Sequence, residues 1–242
     1  MRLVFLGLFC ATLIGAASAD DRALGSPDRR EQVQHEKFLQ ENPTSVAAHS
    51  SYAEFLADHG NFRAAVVHWR TAQQLAPGSA AIANSLGGVY LQMGKAADAA
   101  AGFARAIDLD RDNSVYHFNL GNLEFVLRRD LAAAWKMEMP DLLRLALAEF
   151  REASRLSPND LEYARGYAET FYAMPDPDWS EAEVAWKHVL SLSTERDFVY
   201  LHLARVCLKR RDAKGARQFL NRIVDRRHDD LKRKLQTQAD QL

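Results

Sequence analysis

Beyond Ser45 the chain repeats one arrangement of apolar and small residues. His49-x-x-Tyr52-Ala53-x-x-Leu56 is followed by Ala65, Trp69 and Ala72. Ala83-x-x-Leu86-Gly87-x-x-Tyr90 is followed by Ala99, Phe103 and Ala106. Within each half the spacing is three and four residues, which predicts amphipathic helices in pairs. Gly60 and Gly94 fall between the two halves, where a chain reversal is needed. Asn42-Pro43, Ala76-Pro77 and Ser157-Pro158 punctuate the ends of the pairs. Pro43 and Pro77 lie 34 residues apart, and Arg111 stands a further 34 on, in a turn of the same kind without its proline. A fixed period of that size predicts a stacked repeat, because one thin helix pair cannot bury its own apolar stripe.

Three further segments follow the pattern with defects. His117-x-x-Leu120-Gly121 opens the third, and its second half, Ala146, Phe150 and Ala153, arrives 13 residues late. Ala164-x-x-Tyr167-Ala168-x-x-Phe171 opens the fourth, which continues to Ala182, Trp186 and Val189. Tyr200-x-x-Leu203-Ala204-x-x-Cys207 opens the fifth, with Ala216, Leu220 and Ile223 after it. In these positions the chain resembles the tetratricopeptide repeat. That resemblance implies an all-α, right-handed superhelical solenoid over residues 43–227, with units near 46–79, 80–113, 114–160, 161–196 and 197–227. Residues 28–41 and 228–242 read as polar capping helices, the first with a thin apolar edge at Val33, Phe38 and Leu39. Residues 20–27 read as a flexible start.

The N-terminus changes the setting. Residues 1–19 read MRLVFLGLFCATLIGAASA: one cation, an apolar run, and Ala17-Ser18-Ala19 before Asp20 and Asp21. This is the form of a cleaved secretory signal peptide, and the run is short beside the ~20 apolar residues of a membrane span. The expectation is export, to the periplasm if the source is a diderm bacterium and otherwise to the exterior. An uncleaved run would instead make the protein an anchored subunit of an envelope complex. Cys10 would leave with the signal, so Cys207 would remain alone and no internal disulfide could form.

Composition excludes more than it assigns. Over 242 residues the net charge is -1, with 48% hydrophobic and 26% charged residues, so neither wholesale disorder nor general nucleic-acid binding is indicated. Of the eight histidines none pairs at three or four residues, so no helix face offers two imidazoles to a metal. No nucleophile elbow, phosphate-cradling loop or dinucleotide fingerprint is present. No enzymatic activity, cofactor or metal is expected. His49 and His117 fall at the fourth repeat position and Cys207 at the eleventh, all expected to be packed and inert.

The resemblance places positions 2, 5, 9, 12 and 13 of each first helix on the concave groove. These positions run from Ser50, Glu54 and Asp58 through Asn84, Leu91 and Gln92 to Phe118, Asn122, Phe125 and Val126. They continue through Arg165, Glu169 and Tyr172 to Arg205, Leu208 and Lys209. A partner segment is expected along Asn84, Gln92, Phe118, Asn122, Phe125, Tyr172, Arg205 and Lys209. The groove suits an amphipathic helix or an extended apolar peptide, unless its aromatics pack within the third unit. Positions 5, 6 and 9 of the first unit are Ser50, Ser51 and Glu54, which disfavours a clamp for a terminal carboxylate. The insertion over 128–143 places Leu131, Trp135, Met139 and Leu142 at helical spacing, with Pro140 at a helix start. It is either a docking knob around Trp135 and Met139 or a lengthened helix pair packed on itself. Residues 195–242 carry 13 Lys or Arg against 7 Asp or Glu, a basic end able to meet an acidic partner. The implied function is non-catalytic protein binding as an adaptor or assembly factor, and self-association into a structural oligomer is the alternative.

Overall fold

The computed structural model describes residues 27–242, and the signal-peptide reading lies outside them. Thirteen α-helices and no strand are found among the described residues. They are α1 (Pro27–Glu41), α2 (Val46–Asp58), α3 (Phe62–Leu75), α4 (Ala80–Gln92), α5 (Ala96–Leu109), α6 (Ser114–Val126) and α7 (Arg128–Trp135). After them come α8 (Met139–Leu156), α9 (Leu161–Thr170), α10 (Trp179–Leu192), α11 (Arg196–Lys209), α12 (Ala213–Leu220) and α13 (Asp229–Asp240). Apart from α7, which packs on α5, α6 and α8, each helix packs on the next: α2 on α3, α3 on α4, α4 on α5, and so on to α13. Successive pairs therefore stack, as the periodicity predicts.

Side-chain caps start most of these helices. Ser45, Ser79, Asn113 and Asp160 each accept a backbone N–H from the first turn of α2, α4, α6 and α9. Such a cap is worth about 1 kcal/mol. The carbonyl of each preceding turn is also satisfied. His49 Nε2 meets the Pro43 carbonyl at 3.0 Å and His117 Nε2 meets that of Arg111 at 3.0 Å. Where the fourth position is alanine, the second helix supplies the donor. Arg105 reaches the Pro77 carbonyl at 2.9 Å and His188 that of Pro158 at 2.7 Å. His49 and His117 are accordingly buried structural groups, 8% and 7% exposed.

Between paired helices the interior is built from the repeated small and large residues. Ala65, Ala99, Ala146, Ala182 and Ala216 are all 0% exposed, and Trp69, Phe103, Phe150, Trp186 and Leu220 fill the space beside them. The closest approach is α4 against α5. A Cβ on Gly87 would stand 2.6 Å from the Phe103 ring, and one on Gly102 would stand 2.7 Å from Gly87 Cα. The reversals within units one and two use Gly60 and Gly94 at φ of +73° and +71°. The same reversal in the fifth unit falls on Arg211, at φ +59°.

Two elements depart from expectation. Val33 and Phe38, read as the apolar edge of α1, are 49% and 40% exposed. The inner stripe instead follows the three-and-four spacing of Gln32, His35, Glu36 and Leu39. His35 lies 5.1 Å from the Phe55 ring, and the Tyr52 hydroxyl donates to Glu36 at 3.2 Å. In the fourth unit α9 ends early, tightening into a 3-10 turn over Phe171–Ala173 before the proline-rich loop.

Candidate functional site

First helices of successive units lie side by side, and their side chains bridge from unit to unit. Asn119 Nδ2 of α6 donates to Asn84 Oδ1 of α4 at 2.8 Å. Phe118 of α6 stacks on Tyr163 of α9 at 4.6 Å. The Arg165 guanidinium of α9 lies 4.9 Å from the Phe198 ring centroid of α11. These contacts tie α4 to α6, α6 to α9 and α9 to α11 along the first helices.

The first-helix face is not uniformly open. Ala57, Leu91, Phe125, Tyr172 and Leu208, the twelfth position of each unit in turn, are all half-buried. They form an apolar row in register, one residue on each first helix, each with part of its surface open to solvent. Val126, next to Phe125 in that row, is 52% exposed, and Val115, at the other end of α6, is 45% exposed. At the bend between α6 and α7, Val126, Leu127, Arg128, Arg129 and Asp130 line a shallow cavity of about 280 Å³.

Phe118 and Tyr172, left by the sequence as either open or packed, are both packed against neighbouring rings. Phe118 is half-buried between Tyr163 and Phe150, so it ties the third unit to the fourth. Tyr172 is held among Trp179, Trp186 and His202, and its hydroxyl is 3.2 Å from the His202 carbonyl. Burial pushes its hydroxyl far above the ordinary tyrosine range. Phe125 keeps one face toward the Arg128 guanidinium, 5.3 Å away, and its edge toward Phe150. Gln92 and Lys209 are exposed, while Asn84, Asn122 and Arg205 are half-buried.

The insertion resolves into α7, a left-handed Lys136 at φ +52°, and the start of α8 with Pro140 in its first turn. Leu131 and Leu142 are completely buried, and Met137 packs on the same core. Met139 is half-buried and Trp135 is 37% exposed. The segment is therefore a helix packed against its own unit and against α5 of the second, with Trp135 at its exposed edge.

Sequence reading missed two buried titratable groups. His202 is 8% exposed and stacked on Trp186 at 4.0 Å. Burial first, then the charges of Arg205 and Arg165, pull its pKa down to about 3, so it stays neutral. Glu124 occupies the eleventh position of the third unit, where the other units carry Leu56, Tyr90, Phe171 and Cys207. It is 3% exposed, and its Oε2 has no hydrogen-bond partner. Burial, with the neighbouring Glu149 carboxylate, pushes it up to about 8. Strict register counting would have found it, because a charged residue there breaks the pattern of the other four units. Cys207 is 1% exposed, and burial raises its thiol to about 11, so the nucleophilic thiolate is scarce at neutral pH. No group of three or more metal-ligating side chains is assembled among the described residues, and no helix there is long and apolar enough to cross a membrane.

No protein-family model and no curated protein matches the sequence. Among solved structures the chain is similar to YrrB, whose structure is described as a TPR protein with an unusual peptide-binding site. Identity is 17% and the TM-score 0.64, over 86% of this chain and 98% of that one. It is similar to PilF of Pseudomonas aeruginosa at 18% identity and TM-score 0.58, over 80% and 81% of the two chains. A third likeness is to PilW, described as a widely conserved type IV pilus biogenesis factor. There the identity is 18% and the TM-score 0.53, over 80% and 83%. The fold is that of the tetratricopeptide-repeat proteins.

Proposed function

We propose that the chain is an exported, non-catalytic adaptor or assembly factor that holds a segment of a partner protein along the first-helix face. One observation carries this reading: the twelfth position of every first helix, Ala57, Leu91, Phe125, Tyr172 and Leu208, is apolar or aromatic and half-buried, with exposed Val126 beside Phe125. A row of that kind offers apolar side chains of a partner a strip to cover, while the polar groups beside it satisfy a partner backbone. The peptide-binding site named for YrrB, on the same fold, lends the mode of action. Export rests on residues 1–19, whose cation, apolar run and Ala17-Ser18-Ala19 form a signal-peptide pattern. The buried titratable groups Glu124, His202 and Cys207 sit in helix packing rather than in an open cleft, which is why catalysis is not assigned.

The test is site-specific photocrosslinking in the native envelope. A photoreactive residue at Val126 should trap a defined partner set, and Leu91→Gln with Leu208→Gln should deplete it. An identical set from a photoreactive residue at exposed Val184 of α10, or an undiminished set from the double variant, would refute the face. Mass measurement of the mature N-terminus tests export, with Asp20 the expected first residue.

A further inference from the structure

Charge is ordered along the same face. Positions 9 and 13 of each first helix flank the apolar row. In the first unit they are Glu54 and Asp58, both exposed. In the third they are Asn122 and Val126. In the fifth they are Arg205 and Lys209. None of these four charged residues makes an ion pair among the described residues, so their charges are not cancelled locally. In the fourth unit the position-9 carboxylate, Glu169, is 7% exposed and already bonded to Arg165 at 2.6 Å, so it adds no free charge. The Arg205 charge is felt by both Tyr172 and His202 beneath it: burial raises Tyr172 and Arg205 partly offsets that, while burial and Arg205 together lower His202. Lys209 stands 5.8 Å from the Trp179 ring, and Trp179 lies 5.8 Å from Tyr172. The basic end is thus a cationic and aromatic patch continuous with the apolar row. Exposed Glu162, at position 2 of α9, does not neutralise it. At 1.5 Å per residue the ten residues between positions 2 and 12 separate the levels by about 15 Å, beyond the roughly 8 Å screening length at physiological salt.

Resting on the reading above, we infer that the partner segment is charge-polarised: apolar in its middle, acidic where it meets the fifth unit and basic where it meets the first. Side-by-side first helices about 10 Å apart give a track of roughly 40 Å from unit one to unit five. An extended segment of about 12 residues covers it. Either chain direction satisfies the pattern, so recognition is of the order of charges rather than of one terminus. A segment with two acidic or two basic ends sets like charges against each other at one end whichever way it lies, which is how such a face rejects other apolar peptides.

Three fluorescent peptides of about that length, each with a Leu- and Phe-rich middle, test the inference by anisotropy. One has an acidic and a basic end, one two acidic ends and one two basic ends. The polarised peptide should bind at least about tenfold more tightly than either symmetric one, with a clear salt dependence. Arg205→Glu with Lys209→Glu should remove that preference, and adding Glu54→Lys with Asp58→Lys should restore it. A photocrosslinker at the acidic end should mark α11. Equal affinities for the three peptides, or crosslinks from the acidic end to α2, would overturn the inference. If the envelope partner still crosslinks at Val126 while charge reversal changes nothing, the polarity is wrong and the binding face stands. If neither the peptides nor the envelope partner engages the face, both fall.

Discussion

Glu124 gives the sharpest prediction, because its environment opposes its chemistry. In the unfolded chain this carboxyl loses its proton near 4.5, and in the folded chain only near 8. Burial in the third unit is the main cause, and the Glu149 carboxylate, bonded to His117 at 2.7 Å, adds to it. Between those two values the folded state binds more protons than the unfolded state. Stability therefore falls as pH rises through the interval, by about 1.4 kcal/mol per unit for a fully formed difference. At pH 7 the carboxyl costs on the order of 3 kcal/mol relative to the acid limit, and above pH 8 the loss levels off near 5 kcal/mol. Glu124→Gln keeps the shape and removes the proton. Urea unfolding followed by circular dichroism should find the variant close to the parent near pH 4.5. It should be more stable by a few kcal/mol near pH 8, with the parent's downward slope absent. A variant whose stability tracks the parent's at every pH would refute the assignment of a buried, uncompensated acid.

Other positions give simpler outcomes. Arg211→Gly relieves a left-handed backbone on a side-chain-bearing residue, and should raise stability by about 0.5–1 kcal/mol in the same unfolding assay. Gly87→Ala drives a Cβ to 2.6 Å from the Phe103 ring and 3.0 Å from the Ala99 carbonyl. It should cost about 1–3 kcal/mol, with amide exchange accelerated in α4 and α5. Cys207 should resist maleimide in the native protein at neutral pH and react at the rate of unfolding, so a labelling rate insensitive to urea would contradict its burial.

Much of this architecture is legible in the sequence because the repeat uses the same residue types for the same physical task. Alanine or glycine at the eighth position and an aromatic or leucine deep in the second helix are demanded wherever two helices must approach closely. Five copies make the demand visible. What is not legible is set by single contacts outside that demand. The inner edge of α1 is polar, built on His35 and Glu36, so an apolar count selects Val33 and Phe38 instead. Phe118 and Tyr172 lie on the groove arc by angle, yet rings from their own second helix and from the next unit pack against them. Helical periodicity gives the direction of a side chain and says nothing of what the following unit lays against it.

That division also explains why the face can carry a partner code without disturbing the fold. The residues that hold the stack, such as Ala53, Trp69, Phe103 and Trp186, are nearly excluded from solvent. Apart from buried Glu169, those at positions 9 and 13 reach the surface and differ from unit to unit, from Glu54 and Asp58 to Arg205 and Lys209. Each unit contacts mainly its neighbours, so a charge placed on one first helix is felt locally and screened within about a unit's width. A graded order of charge along the face is therefore not imposed by the repeat, whose interior is the same in every copy. It is the component of the surface that varies against a constant framework, and the component on which partner selection can act.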